Sequence, residues 1–235
     1  MAWTCHGASN VEMVAKLAQH RILTTPRVID AFNNVNRAHF VPPGMKHSAY
    51  EDNPLVIGWG ATISAPHMHA YAAENLSKHL KPGANVLDIG CGSGLLLALF
   101  EQLVGSTGNV LGIDHLDGLV EFSKQNLTSH FNGTLPPNVR VVKGDGRRGS
   151  LPEMTPSGGW SVIHVGAAGL IKDIESLVSQ LGENGRMFVP IEDDSGNQAI
   201  YQIDKQKDGQ VTKTRLYGVR YIPLTDPEVQ FPRQN

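Results

Sequence analysis

The chain has 235 residues and a formal net charge of −2, with charged side chains making up 18% of it. That length supports a full hydrophobic core, commonly in one domain for an α/β sheet of this size. A near-neutral chain without blocks of like charge offers no electrostatic footprint for nucleic acid or an anionic membrane, which leaves a small or polar substrate.

The N-terminal MAWTCHGASN has neither a basic n-region nor an apolar h-region, and the longest strongly apolar run, residues 95–100, is too short to span a bilayer. A soluble, cytosolic protein is expected. Cys5 and Cys91 form neither a disulfide framework nor a metal-ligand spacing, so a reducing compartment is the simpler reading. The sequons at Asn75, Asn126 and Asn132 have no secretory signal to expose them to glycosylation.

Ser9 followed by Glu12 predicts a capping box and a helix with Val14, Leu17 and Ala18 on its apolar face. Thr25-Pro26 starts a second helix. Residues 39–66 are irregular and rich in Gly, Pro and aromatics, too long for a plain connector, and are expected to cover a ligand. Pro66 then opens a third helix, HMHAYAAENLSKHL.

Beyond Pro82-Gly83, strands and helices alternate. NVLDI, a helix through Leu103, NVLGI, a helix over 116–131, VRVV, WSVIHV, a helix over 171–181 and RMFVPI predict a parallel, doubly wound sheet with ligands at its carboxyl ends. QAIYQIDK, an Asp208-Gly209 turn and QVTKTRLYGVRYIPL follow without helices, so an antiparallel edge is expected.

The turn VLDIGCGSG carries Gly90, Gly92 and Gly94 with Asp88 two residues ahead. A nicotinamide fingerprint needs its third glycine at position 95, which is leucine, and no Lys-Ser or Lys-Thr follows to make a P-loop. The glycines instead suit close backbone approach to an amino acid and a ribose. Asp114 ends the next strand about 20 residues on, the offset at which a carboxylate accepts both ribose hydroxyls. Asp145 ends the strand after that, where a carboxylate could take an adenine amino group. One such aspartate alone is as readily a turn residue or helix cap. Three acidic residues ending successive strands resemble the S-adenosylmethionine-binding pattern of Rossmann-like methyltransferases.

ATISAPHMHAYA, VLDIGCGSG, GIDH, GDGR, HVGAA and YIPLTD, in that order, resemble the protein-L-isoaspartate (D-aspartate) O-methyltransferases from the MAW start to PLTD. The resemblance implies a Rossmann-like, mostly parallel α/β sheet with N-terminal helices and an antiparallel C-terminal edge. It implies S-adenosyl-L-methionine as cofactor and isoaspartyl peptides and proteins as substrates, with no metal, and a monomer is expected. The implied cofactor set is Ala61, Thr62, Ile63, Ser64, Asp88, Gly90, Gly92, Gly94, Asp114, His115, Asp145, Gly146 and Thr225, with Ser64 as the catalytic serine.

Such enzymes methylate the α-carboxylate of an L-isoaspartyl residue; the ester closes to a succinimide, which can reopen to aspartate. A carboxylate of pKa roughly 3 to 4 is already the nucleophile at neutral pH, so no general base is required. The protein's task is alignment and exclusion of water. Ser64 could orient the carboxylate or merely N-cap the following helix. His67 and His69, two residues apart, do not share a helix face and do not suggest a metal. His164, on a predicted buried strand, is expected to be a satisfied core histidine.

The wording departs from the family at Gly169-Leu170, at EDNPLVIGWGA with its Trp59, at Cys91, and at Glu192, Asp193 and Asp194, which are expected to form a solvated loop. A methyltransferase for another acceptor and a cofactor-binding adaptor without catalysis are the rival readings.

Overall fold

The computed structural model describes residues 5–232, so the MAW start lies outside the described residues. Helix α1 (Asn10–Gln19) begins as its sequence predicts: the Ser9 hydroxyl accepts from the Glu12 N–H at 3.2 Å. The reciprocal arm is shifted by one residue, since Glu12 accepts from Ala8 N–H at 2.9 Å.

Helices α2 (Pro26–Asn34) and α3 (Pro66–Leu76) cap each other. Thr25 makes no side-chain cap of its own. Instead the Glu74 carboxylate of α3 accepts from the backbone N–H of Thr24 and Thr25 at 2.8 and 2.9 Å, and from both hydroxyls at 3.1 and 2.8 Å. In return, Arg27 of α2 donates to the carbonyls of Ser77 and Leu80 beyond the end of α3. Orphan donors of one helix and orphan acceptors at the end of the other are thus satisfied by one pair of side chains. Glu74→Ala is expected to destabilise the fold by ~2 kcal/mol, seen as a melting temperature about 4 to 8 °C lower.

The segment expected to be irregular contains a hairpin, β1 (Leu55–Gly58) and β2 (Ala61–Ile63). Its turn, Gly58-Trp59-Gly60, has positive φ throughout, at 96°, 50° and 69°. Strands this short carry too few residues for alternation to be read.

The main sheet contains β3 (Asn85–Ile89), β4 (Asn109–Asp114), β5 (Val139–Lys143), β6 (Trp160–Val165), β8 (Leu181–Glu192), β9 (Gln198–Lys205) and β10 (Val211–Val219), in the order β10-β9-β8-β6-β3-β4-β5, and a two-residue strand β7 (Gly169–Leu170) pairs with β8. Pairings from β5 across to β8 are parallel; β8–β9 and β9–β10 are antiparallel. This is the sheet the alternation predicts, with the antiparallel edge.

Strand periodicity divides the core between two faces. Val86, Val110, Val162 and Phe188 point toward helix α4 (Leu95–Val104) and the N-terminal helices. Leu87, Ile89, Leu111, Ile113, Ile163 and Val165 point toward Ile174 and Leu177 of helix α6 (Ile171–Gln180). Eight of the ten residues of α4 are buried, because it lies between the sheet and α2 and has little face left for solvent. Helix α5 (Asp117–His130) covers β4 and β5, and a short α7 (Pro227–Gln230), absent from the sequence reading, ends the described chain.

The strand order reverses at β3, which has β4 on one side and β6 on the other. Chain leaving the carboxyl ends of β3 and β6 diverges there and opens a crevice.

Candidate functional site

A cavity of about 1040 Å³ occupies this crevice. Gly90, Gly92, Asp114 and Gly166 form its floor, Ala61, Thr62 and Ser64 one wall, and residues 217–225 another. Met68, His67 and Tyr71 of α3 complete the Ser64 side.

The glycine turn explains the floor. Gly90, Gly92 and Gly94 adopt φ of 70°, 52° and 83°, values that side chains strain to reach. Gly90 N–H donates to the Ile113 carbonyl at 2.8 Å and Gly166 N–H to the Ile89 carbonyl at 2.7 Å, tying the ends of three strands together. Gly94 caps α4 and lies behind the cavity, where an added Cβ would come within 2.6 Å of the Ser123 hydroxyl.

Asp114 is 6% exposed and faces the cavity. One carboxylate oxygen accepts from Gly92 N–H at 3.1 Å and the other from Leu116 N–H at 3.4 Å. A carboxylate offers about four lone-pair sites, so two acceptor positions remain, which fits a ribose diol. Burial pushes its carboxyl above the usual range, against these two backbone donors.

Asp88 belongs elsewhere. Strand register sets it directly opposite His164 of β6 on the α4 face, with His164 Nδ1 at 2.7 Å from its Oδ1. Both are buried, and the imidazole stacks on Phe188 at 6.0 Å and meets Phe100 edge-on at 6.1 Å. Asp88 therefore sits inside the core rather than on the cavity wall, and His164 is the satisfied core histidine expected. Ile63, in the same stretch, is 3% exposed and lies outside the cavity lining, which Ala61, Thr62 and Ser64 contribute.

Asp145 and Gly146 reach the cavity, but the Asp145 carboxylate is committed to Arg147. Its oxygens accept from Arg147 N–H, Nε and Nη2 at 2.9 to 3.2 Å, and Arg147 Nη2 also reaches Asp226 at 2.7 Å. These bonds to the Arg147 guanidinium hold the Asp145 carboxyl below its usual range. An adenine amino group would have to compete with that guanidinium, which the sequence reading did not foresee.

His115 and Thr225 line the cavity as implied. His115 Nε2 lies 2.8 Å from Gln230 Oε1, and Gln230 Nε2 donates to the Trp59 carbonyl at 3.2 Å. Gln230 thus bridges the β4 end and the hairpin tip. The Trp59 ring presses on α5 at Gly118, where a Cβ would fall 2.1 Å from Nε1, and packs against Phe122. That departure from the family wording anchors the hairpin.

Ser64 does not cap α3: the N-cap is Ala65, without a side-chain bond. Ser64 instead lines the cavity, as does Tyr221. His67 points its Nδ1 at the buried Asp52 carboxylate, 2.7 Å away, while His69 turns inward to Arg37 at 3.4 Å. Among the described residues, no group of three or more His, Cys, Asp or Glu is placed to hold a metal ion. Asp193 closes the β8–β9 turn by accepting from Ser195 and Asn197 N–H at 2.9 Å, and the exposed Asp193 and Asp194 lie outside the cavity lining. Gly169-Leu170 forms β7, paired in register with Ile191 and Glu192. Cys91 is buried, and burial pushes its thiol well up.

Missed by the sequence reading were Tyr71, Tyr217, Tyr221, Arg147 and Gln230. Tyr71, Tyr221 and Arg147 lie within ATISAPHMHAYA, YIPLTD and GDGR; Tyr217 and Gln230 carry no motif signal.

The profile of the protein-L-isoaspartate (D-aspartate) O-methyltransferase (PCMT) family matches residues 8–229. A protein-L-isoaspartate O-methyltransferase from Caenorhabditis elegans is 42% identical over 235 residues, covering 99% of this chain and 100% of the relative. Protein-L-isoaspartate O-methyltransferase 1 of Arabidopsis thaliana is 42% identical over 226 residues, covering 94% and 93%. Among solved structures, a proposed protein-L-isoaspartate O-methyltransferase from Plasmodium falciparum, in complex with S-adenosyl-L-homocysteine, superposes with a TM-score of 0.82 at 29% identity, covering 93% of this chain and 99% of that one. With a profile match over nearly its whole length and relatives aligned end to end, the chain belongs to the protein-L-isoaspartate (D-aspartate) O-methyltransferase family.

Proposed function

We propose that this cavity is where the chain transfers a methyl group from S-adenosyl-L-methionine to the free α-carboxylate of L-isoaspartyl residues in damaged proteins and peptides. The observation that carries the assignment is the pairing of two features in one cavity: Asp114, with two acceptor positions free above a glycine floor, and Ser64 on the facing wall, free of any capping duty. When bound, the cofactor supplies an electrophilic sulfonium methyl.

The chain's residues do the positioning. Asp114 holds the ribose hydroxyls, and Gly90 and Gly92 let backbone approach the amino-acid portion closely. His115, Gly146 and Thr225 border the same volume, with Ala61 and Thr62 on the hairpin side. Ser64 hydrogen-bonds the acceptor carboxylate and fixes the direction of its attacking oxygen. The mostly apolar walls of α3 and residues 217–225 exclude water from the reacting groups.

The whole chain is read as one methyltransferase domain, because α1, α2 and α3 share a single core with β3, β4 and α4. A monomer acting in the cytosol, without nucleic acid or membrane, suits the near-neutral charge and the two buried cysteines. No described helix is long and apolar enough to cross a membrane.

The test is methyl transfer from labelled cofactor to matched peptides carrying L-isoaspartate or normal aspartate. Label in the isoaspartyl peptide alone supports the assignment; cofactor binding with no transfer to either overturns it. Ser64→Ala is expected to lower kcat by about tenfold with little change in cofactor Kd, the cost of one orienting hydrogen bond to a charged group. Wild-type turnover in that variant removes Ser64 from the mechanism.

A further inference from the structure

Two arginines and no lysine line the cavity, and the two differ in what holds them. Arg147 is committed: its guanidinium grips the Asp145 carboxylate at 2.9 to 3.2 Å and reaches Asp226 at 2.7 Å. Arg220 is exposed and makes no hydrogen bond or ion pair among the described residues. A guanidinium is a fixed positive charge, so this part of the cavity mouth is cationic.

The wall formed by residues 217–225 runs from the acceptor side of the cavity to the cofactor side. At its start Tyr217 packs on Tyr71 of α3, with ring centroids 5.6 Å apart, and α3 begins two residues after Ser64. At its end Thr225 precedes Asp226, which is held by Arg147 beside Asp145. Arg220 follows Tyr217 by three residues and so belongs to the acceptor side.

The backbone next to it is pinned. Gln198 of β9 accepts from Tyr221 N–H at 2.5 Å and donates to the Tyr221 carbonyl at 3.2 Å, and Ala168 N–H donates to the Ile222 carbonyl at 2.9 Å. Carboxylates on the adjoining elements are already engaged: Glu192 accepts from Gln198 at 2.7 Å, Asp193 closes its own turn, and Asp226 holds Arg147. A pinned stem with an unpaired cation at the mouth is a receptor for an anion that arrives with the substrate. That anion is not the attacking carboxylate, because strong hydrogen bonds from a guanidinium would stabilise it before reaction and slow it.

We propose that Arg220 is a specificity-determining residue: it pairs with a carboxylate of the substrate chain other than the methyl acceptor, so that isoaspartyl peptides with an acidic neighbour are preferred. This rests on the reading of the cavity given above, and the test separates the two.

The experiment measures methyl transfer to isoaspartyl peptides in matched pairs, glutamate against glutamine at each flanking position, by wild type, Arg220→Gln and Arg220→Glu. Melting temperature and cofactor Kd should not change in either variant, since the side chain is exposed and unpaired. At one flanking position wild type should favour the acidic peptide by about two- to fivefold in kcat/KM, the worth of one exposed ion pair, through KM rather than kcat. That preference should fade at high salt, vanish in Arg220→Gln and reverse in Arg220→Glu. If wild type shows no preference at any position, or if the preference survives in Arg220→Gln, Arg220 is not the selector. If Arg220→Gln slows both members of every pair equally, the guanidinium serves the acceptor carboxylate instead, and the proposal is overturned. If wild type binds cofactor but methylates neither member of any pair, the reading of the cavity has failed, and the role of Arg220 falls with it.

Discussion

Replacing Asp114 with alanine is expected to weaken S-adenosyl-L-methionine binding by ~1.5 to 3 kcal/mol, about 10- to 150-fold in Kd. Two charge-assisted bonds to ribose hydroxyls would be lost, and the Gly92 and Leu116 N–H groups that the carboxylate now fixes would be released, loosening the floor itself. Asp114→Asn removes the charge and keeps one acceptor oxygen but sets an NH2 against the other backbone N–H, so its affinity is expected to fall between wild type and Asp114→Ala. Titration calorimetry with the cofactor reads both variants, and an unchanged Kd in Asp114→Ala would refute the assignment. The sign of the pH effect follows from burial. Since burial raises the Asp114 carboxyl, protonation on acidification begins above the 3.8 of a solvated aspartate, and cofactor affinity falls there because the protonated form is a poorer acceptor.

His164→Leu is expected to cost ~3 to 5 kcal/mol of folding stability, about 6 to 20 °C in melting temperature, by leaving the Asp88 carboxylate buried without its imidazole donor. The partners face each other across β3 and β6 with aromatic rings around them, so no water-filled space is at hand to take over the hydrogen bond. Replacing Asp88 and His164 together with apolar residues of similar volume should recover most of the loss, since the penalty belongs to the orphaned charge rather than to the missing contact. Thermal unfolding of the single and double variants decides this. Cofactor Kd of the folded single variant should stay near wild type; a large rise would return Asp88 to the cofactor site, as its place beside the glycine turn first suggested.

Asp88 illustrates why a motif position is not yet a site position. Along β3 the side chains alternate, and which face an aspartate takes depends on strand register and on what the neighbouring strand sets opposite it. Asp114 lies on the same face, since Asp88 is paired with Gly112, but at the last position of β4, where its carboxylate meets the Gly92 N–H of the glycine turn; Asp88, one residue before the end of β3, meets His164 instead. Asp145 shows a second limit. Its reach to the cavity was legible, but not that Arg147 two residues later, held in turn by Asp226 from the C-terminal segment, would occupy its oxygens.

Local signals were enough for the elements whose cause is local. The Ser9 cap, the proline starts of α2 and α3, the apolar strand runs and the glycine turn are set by residues within a few positions of one another, so the doubly wound sheet, its antiparallel edge and the glycine floor could be read directly. The motif order from ATIS to PLTD was enough to indicate the family. Tertiary structure alone decided the rest: the mutual capping by Glu74 and Arg27, the GWG hairpin, the bridge from Gln230 to His115 and Trp59, and the convergence of Ser64 and Tyr221 on one cavity. Except in the hairpin, whose strands are too short for alternation to show, the partners are separated by tens to more than a hundred residues. Their contact energies exist only after chain reversal has brought distant segments together, and so they leave no periodicity in the sequence to read.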